Sequence, residues 1–224
     1  TAEAAATTPV AKHGRLSVKG ADLVDSKGNK FQLRGISTHG INWDVGSPYV
    51  NKKAFKTLRD DWGVNAIRLA MYTEEYNGYC SGGSQAKLRK LVDKGVGYAT
   101  DLGMYAIIDW HILSDGNPNK NKSQAKKFFT TMAKKYKNNK NVIYEICNEP
   151  NGCGWKEIKS YATDIIKTIR KYDKKAVIIV GTPTWSQLGT DGTSNEVADS
   201  PIKGYKNIMY SLHFYASEWA HNEY

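Results

Sequence analysis

In Tyr144-Glu145-Ile146-Cys147-Asn148-Glu149-Pro150 an apolar run ends on an amide, a carboxyl and a proline. Strand alternation turns Glu145 and Cys147 one way and Ile146 and Asn148 the other, with Glu149 at the strand's end. Pro150 stops the strand because it has no N–H to give to a ladder. A carboxyl partly desolvated at an apolar mouth keeps its proton nearer neutrality and can donate it to a leaving oxygen. Asn148 carries a donor and an acceptor, suited to holding a hydroxyl. An isolated glutamate here would more simply cap the following helix. Polar company at other strand ends favours the chemical role.

That company is His39, Tyr72, His111, Trp185 and Tyr215, each placed after the C-terminal end of a different apolar run. Polar groups near a core are costly unless they bond one another or a ligand. Arg68, inside the run Ala66 to Met71, can hold a carboxylate by bidentate hydrogen bonding. His111 and His213 can bind hydroxyls or orient carboxylates, although either histidine alone reads as a satisfied core residue. Trp43 and Trp185 lie in loops on the same face. Their indole plates suit stacking on the apolar face of a pyranose ring, and equally suit packing.

The elements that must position these residues alternate. Strands are predicted over Leu33–Ser37, Ala66–Met71, Tyr105–Trp110, Val142–Cys147, Val177–Val180 and Ile208–Phe214. Nearly continuous apolar character marks parallel strands buried on both faces. Helices are predicted near Lys53–Trp62, Gln85–Leu102, Ser123–Tyr136 and Trp155–Tyr172, with a shorter one near Ser194–Ser200. Before them, Leu16 to Lys19 and Phe31 to Leu33 flank the turn Asp25-Ser26-Lys27-Gly28-Asn29 and read as a hairpin. Alternating β and α elements imply right-handed crossovers and a parallel sheet. Delivery of the polar residues to one face by many strand ends favours a barrel whose βα loops build the site. A doubly wound sheet would need a glycine-rich phosphate turn after the first strand, and Ile36-Ser37-Thr38-His39-Gly40 is not one. The expected fold is therefore an α/β (β/α)8 TIM barrel, to which this chain contributes the hairpin and about the first six strands.

The chain has 224 residues, 40% of them hydrophobic, which is core enough for one domain. Residues 1–8 are small and polar and read as a flexible tail of the sort left after a secretory leader; 9–224 form the domain. No run is long and apolar enough to cross a bilayer. The formal charge of +10 comes largely from lysines between Lys120 and Lys140, set against Phe128, Phe129, Met132 and Tyr136 at helical spacing. Such a lysine face is a solvated helix surface rather than a nucleic-acid site, which would need stacking aromatics beside the cations. Cys80, Cys147 and Cys153 form no metal-ligand cluster. A Cys80–Cys153 disulfide is compatible with their loop positions, but no distance follows from sequence.

Several segments together resemble bacterial family 5 glycoside hydrolases, and most of all their secreted endo-β-1,4-glucanases. They are Gly35-Ile36-Ser37-Thr38-His39-Gly40, Arg59-Asp60-Asp61-Trp62-Gly63, Ala70-Met71-Tyr72-Thr73, Ile107-Ile108-Asp109-Trp110-His111, Asn148-Glu149-Pro150-Asn151-Gly152, Thr184-Trp185-Ser186-Gln187 and Leu212-His213-Phe214-Tyr215-Ala216. The resemblance implies a secreted, extracellular enzyme that hydrolyses internal bonds of β-1,4-glucan with retention and needs neither cofactor nor metal. It assigns the acid/base to Glu149, the lining of the centre to Arg68, Asn148, His111, His213 and Tyr215, and sugar contacts to His39, Trp43, Tyr72 and Trp185. Mannan and xyloglucan are alternative substrates on such a scaffold, and a non-catalytic carbohydrate-binding fragment is the alternative of another class.

A retaining enzyme needs a second carboxylate about 5 to 5.5 Å from the first. In the family it follows the seventh barrel strand, beyond the segment that matches here. The nucleophile, with the last two strands, is expected from a second chain or a continuation. Glu218, in Ser217-Glu218-Trp219-Ala220, follows the sixth strand too closely for a parallel crossover and is expected in a loop. Six strands leave two apolar edges, so these residues are not expected to fold stably or to catalyse alone.

Overall fold

In the computed structural model, which describes residues 7–188 and 195–218, a small hairpin precedes a parallel sheet. The hairpin pairs β1 (Ser17–Lys19) antiparallel with β2 (Asp22–Val24). The sheet runs in sequence order through β3 (Gly35–Ser37), β4 (Ala66–Tyr72), β5 (Tyr105–His111), β6 (Val142–Glu145), β7 (Ile178–Val180) and β8 (Ile208–Tyr210). All five neighbouring pairs are parallel, as βα connections require. Among the described residues β3 and β8 are the two edges.

The helices are α1 (Pro9–His13), α2 (Lys52–Trp62), α3 (Gln85–Asp101), α4 (Lys122–Tyr136), α5 (Trp155–Arg170) and α7 (Glu196–Asp199), with a single left-handed turn, α6 (Pro183–Ser186), between the last two. Local signals set their ends. The Asn51 side chain accepts from the Ala54 N–H to start α2, and Gly63 at φ 67° stops it. Glu157 closes the start of α5 by accepting the Gly154 N–H at 3.1 Å. That helix start does not use Glu149, which removes the helix-capping explanation of the residue. Packing of helix on sheet is close at Gly95, where a Cβ would lie 2.6 Å from a Leu69 methyl.

Residues on the strands alternate between two cores. Ile67, Leu69, Met71, Ala106, Ile108, Trp110 and Tyr144 face the helices, where Phe128, Phe129 and Met132 of α4 bury their side chains as the lysine-face reading requires. Ala66, Tyr105, Ile107, Ile143 and Val177 face the other way and pack with Val10 and Leu16 at the floor. No described helix is long and apolar enough to cross a membrane.

The structure corrects three expectations. The hairpin turns at Gly20-Ala21 rather than at Asp25–Asn29, because Gly20 supplies φ 62°. The Asp25 side chain instead accepts the Lys27 and Asn29 N–H groups, building a separate turn that closes on a single Val24–Lys30 bridge. The last strand ends at Tyr210 rather than Phe214, as the chain bends over α6 with the Ser211 N–H on Val180 and the His213 N–H on Ser186. Thr8, expected in the flexible tail, is instead the N-cap of α1. Cys80, Cys147 and Cys153 are all free thiols, and burial first of all pushes the Cys80 pKa up to about 12 and that of Cys153 to about 11.

Candidate active site

Three central strands converge on one guanidinium. Arg68 on β4 donates from Nε to Glu145 Oε2 at 2.8 Å and from Nη2 to Glu145 Oε1 at 2.6 Å, a bidentate clamp. Nη2 also donates to Asn148 Oδ1 at 2.7 Å and lies 3.0 Å from Asp109 Oδ2, while Nη1 reaches Ser37 Oγ at 3.2 Å. The side chains of Asp109 and Glu145 are 0% and 4% exposed, so two buried carboxylates share one cation. Burial works against the Arg68 charge, but Asp109, Glu145 and then Glu149 outweigh it and raise its pKa above the ordinary value.

Asp109 passes this order to the next residue. Its Oδ2 is 2.5 Å from His111 Nδ1, which fixes the imidazole at the end of β5. Its other oxygen, Oδ1, is buried and has no hydrogen-bond partner among the described residues. Asn148 is held at both ends, since its Nδ2 donates to the Ile112 carbonyl at 3.1 Å. Alternation had set Glu145 and Asn148 on opposite faces. The strand ends at Glu145, and Ile146 and Cys147 both enter the helix-facing core, so Asn148 returns to the side of Glu145.

Glu149 and His213 come together from strands β6 and β8, with Nδ1 and Oε1 2.9 Å apart and side chains 20% and 31% exposed. The β7 loop braces both. Ser186 Oγ donates to the Asn148 carbonyl at 2.7 Å, the Trp185 N–H donates to Pro150, and the Ser186 carbonyl accepts the His213 N–H. Thr184, Trp185 and Ser186 have φ values of 57°, 54° and 60°, a left-handed run that costs about 1–3 kcal/mol per residue and is held by these bonds. Gly181 permits the close approach of β7 to this segment: a Cβ there would lie 2.1 Å from the Cys147 carbonyl oxygen.

A second group of rings leads away from the centre. Tyr72 meets His111 edge-on at 4.4 Å and stacks on Trp43 at 4.5 Å, and His39 meets Trp43 edge-on at 5.5 Å. Burial, then the charges of Glu75, Glu149 and Asp109, raise the Tyr72 hydroxyl pKa against the opposing effect of Arg68. Trp185 stands 47% exposed beside the Glu149 segment. Tyr215 is 66% exposed, and Glu218 is exposed in the turn that follows, its N–H on the Tyr215 carbonyl. Arg68, Asn148, His111, Glu149 and His213 thus form the centre, with Tyr72, Trp43 and His39 on one flank and Trp185 on the loop beside Glu149. Among the described residues no group of three or more His, Cys, Asp or Glu side chains could hold a metal ion. Sequence reasoning missed Asp109 and Glu145 as site residues. The available signal was a carboxyl in each of two buried, largely apolar strands, two positions after an inward-facing isoleucine.

This arrangement can place a proton donor and several hydroxyl-binding groups beside a flat aromatic flank. Residues 24–223 match the family model described as cellulase (glycosyl hydrolase family 5). Endoglucanase A of Butyrivibrio fibrisolvens is 51% identical over 91% of this chain, and an endoglucanase of Clostridium saccharobutylicum is 52% identical over 91%. The chain spans 46% and 43% of those two proteins, less than half of each. Among solved structures, the cellulase Cel5C_n superposes with a TM-score of 0.88 at 39% identity, covering 96% of this chain and 67% of that one. The catalytic domain of Thermobifida fusca endoglucanase Cel5A (E5), in complex with cellotetraose, superposes at 0.85 with 42% identity over 94% and 68%. Strand order, strand-end chemistry and these likenesses lead to one assignment: the chain belongs to the cellulase family of glycosyl hydrolases, family 5.

Proposed function

We propose that this chain is the larger part of the catalytic barrel of a secreted endo-β-1,4-glucanase that cleaves internal bonds of cellulose and related β-glucans with retention of configuration. The observation that carries the reading is the Glu149–His213 contact at 2.9 Å, set at the strand ends beside Asn148 and the Arg68 clamp. In the first step Glu149 gives its proton to the glycosidic oxygen while a second carboxylate attacks the anomeric carbon, breaking its bond to the leaving sugar. In the second step Glu149 takes a proton from water as that water releases the enzyme-bound sugar. Asn148, His111 and Tyr215 hold sugar hydroxyls, and His39, Trp43, Tyr72 and Trp185 supply contacts along the glucan chain. His213 orients the Glu149 carboxyl.

The nucleophile carboxylate comes, in this reading, from the remaining barrel segment, supplied by a continuation or a second chain. The free edge of β3 supports it: Ile36 is 47% exposed there, beside a groove of about 800 Å³ lined by Val45, Tyr49, Phe55 and Leu58. An exposed apolar sheet edge of this kind calls for another strand. The complete enzyme is expected to lower the viscosity of carboxymethyl-cellulose and to cleave lichenan, releasing β-configured ends visible by proton NMR before mutarotation. Cleavage of mannan with carboxymethyl-cellulose left intact, or α-configured products, would overturn the proposal.

A further inference from the structure

We propose that Tyr76 is an additional sugar-stacking platform, which extends the cleft by one distal glucosyl position beyond the ring row of His111, Tyr72 and Trp43. The inference rests on the glucanase reading above and adds a site to it. The row becomes more open as it leaves the centre, from a His111 side chain 12% exposed to Tyr76 at 86%. It does not end at Trp43. The Trp43 indole Nε1 donates to the Tyr76 carbonyl at 2.6 Å, and Asn42 Nδ2 donates to the same oxygen at 3.1 Å. The Tyr76 backbone is therefore fixed at the Nε1 edge of the indole.

Single exposed aromatic residues are ordinary on protein surfaces, so exposure alone argues little. What sets Tyr76 apart is the fixing of its backbone on both sides. Glu75 Oε1 accepts the Ser114 N–H at 2.7 Å, and the Glu75 carbonyl accepts the Gly78 N–H at 2.8 Å. Asn77, at φ 58°, donates from Nδ2 to the Asn42 carbonyl at 2.8 Å. The turn then closes so tightly on Gly78 that a Cβ there would lie 2.5 Å from the Thr73 carbonyl oxygen. Trp62, 77% exposed, shows the contrast: it ends α2 and meets no other ring among the described residues.

A tyrosine on a fixed backbone loses little freedom when a ligand covers it. Its flat apolar face and polar tip match a pyranose, which offers C–H bonds on its face and hydroxyls at its rim. Among the described residues no ring contact or side-chain hydrogen bond is made by Tyr76, whereas the rings inward of it pack on one another. A glucan chain lying along the row would meet Tyr76 only after passing Trp43, so only longer oligosaccharides reach it.

The test uses the complete enzyme, its Tyr76→Ala and Tyr76→Phe variants, and cello-oligosaccharides of increasing length. Tyr76→Ala is expected to lower kcat/KM about threefold to tenfold on the longest oligosaccharides, the size of one aromatic stacking contact. It leaves the shortest cleavable one unchanged, and Tyr76→Phe behaves as the unaltered enzyme. Unchanged melting temperatures assign the loss to binding. An equal loss at every length, no loss at any, or the same loss in Tyr76→Phe overturns the platform alone. Inactivity of the unaltered enzyme on every oligosaccharide overturns the glucanase reading and the platform with it.

Discussion

At the floor of the sheet Ala66, Tyr105, Ile107, Ile143 and Val177 pack with Val10 and Leu16, whereas at the mouth the same strands present Arg68, Asp109, His111 and Glu145. Two or four residues along a strand separate the two chemistries. Inward positions repeat every second residue, so Ile107, Asp109 and His111 share one side of β5 while moving from oil to charge. The floor is satisfied by apolar contact and one hydroxyl, the bond from Tyr105 to the Gly14 carbonyl at 2.6 Å. The mouth is satisfied by ions that hold one another in fixed directions. A floor of that kind stabilises without choosing a substrate, and a mouth of that kind fixes side chains for chemistry at some cost in desolvation.

Substitutions at the two ends should therefore differ in what they change, and all are framed for the complete enzyme. The largest effect is expected from Arg68→Ala, which leaves Glu145 and Asp109 buried side by side without their cation. Denaturant unfolding should show a loss of about 3–5 kcal/mol, and activity should fall below detection. Ile107→Ala opens a cavity at the floor and should cost about 2–4 kcal/mol, yet KM for a soluble β-glucan should stay the same. A changed KM there would break the division between floor and mouth. Tyr105→Phe removes only the hydroxyl bond to Gly14 and should cost about 0.5–1.5 kcal/mol.

The smallest effect concerns an ion pair at the floor end, His13 Nδ1 to Asp25 Oδ2 at 3.0 Å. The His13 hydrogen bond, against burial and helped by the Asn29 and Lys27 N–H groups, lowers the Asp25 pKa from 3.8 to about 2. A carboxylate favoured in the folded state adds stability above pH 3.8 and loses it as the pH falls toward 2. The melting temperatures of the unaltered enzyme and Asp25→Asn should differ by a constant amount near neutrality and converge across that window. A difference that persists to pH 2 would place the contribution elsewhere.

Much of this contrast was legible in the sequence. Parallel strands announce themselves as apolar runs, and the polar residues that break such runs at their ends, Asn148, Glu149, His111 and His213, mark the mouth. The carboxyls inside the runs were harder to read. Asp109 and Glu145 make sense only once Arg68 is known to lie across from both, and register between strands is not written in any one strand. The return of Asn148 to the side of Glu145 was hidden for a similar reason, since it depends on where pairing with β7 stops. The hairpin turn was misplaced because Asp25-Ser26-Lys27-Gly28-Asn29 has the stronger turn composition, while the chain reverses at Gly20 on a single glycine dihedral.

The central claim is that Glu149 hands a proton to the departing oxygen. It is tested most directly by first-turnover rates of the complete enzyme and its Glu149→Gln variant on two aryl cellobiosides, one whose leaving group needs a proton and one, a dinitrophenyl glycoside, whose leaving group does not. The account predicts a loss on the order of 10²–10⁴-fold for the first and little change for the second. Equal losses on both, or none on either, would contradict it.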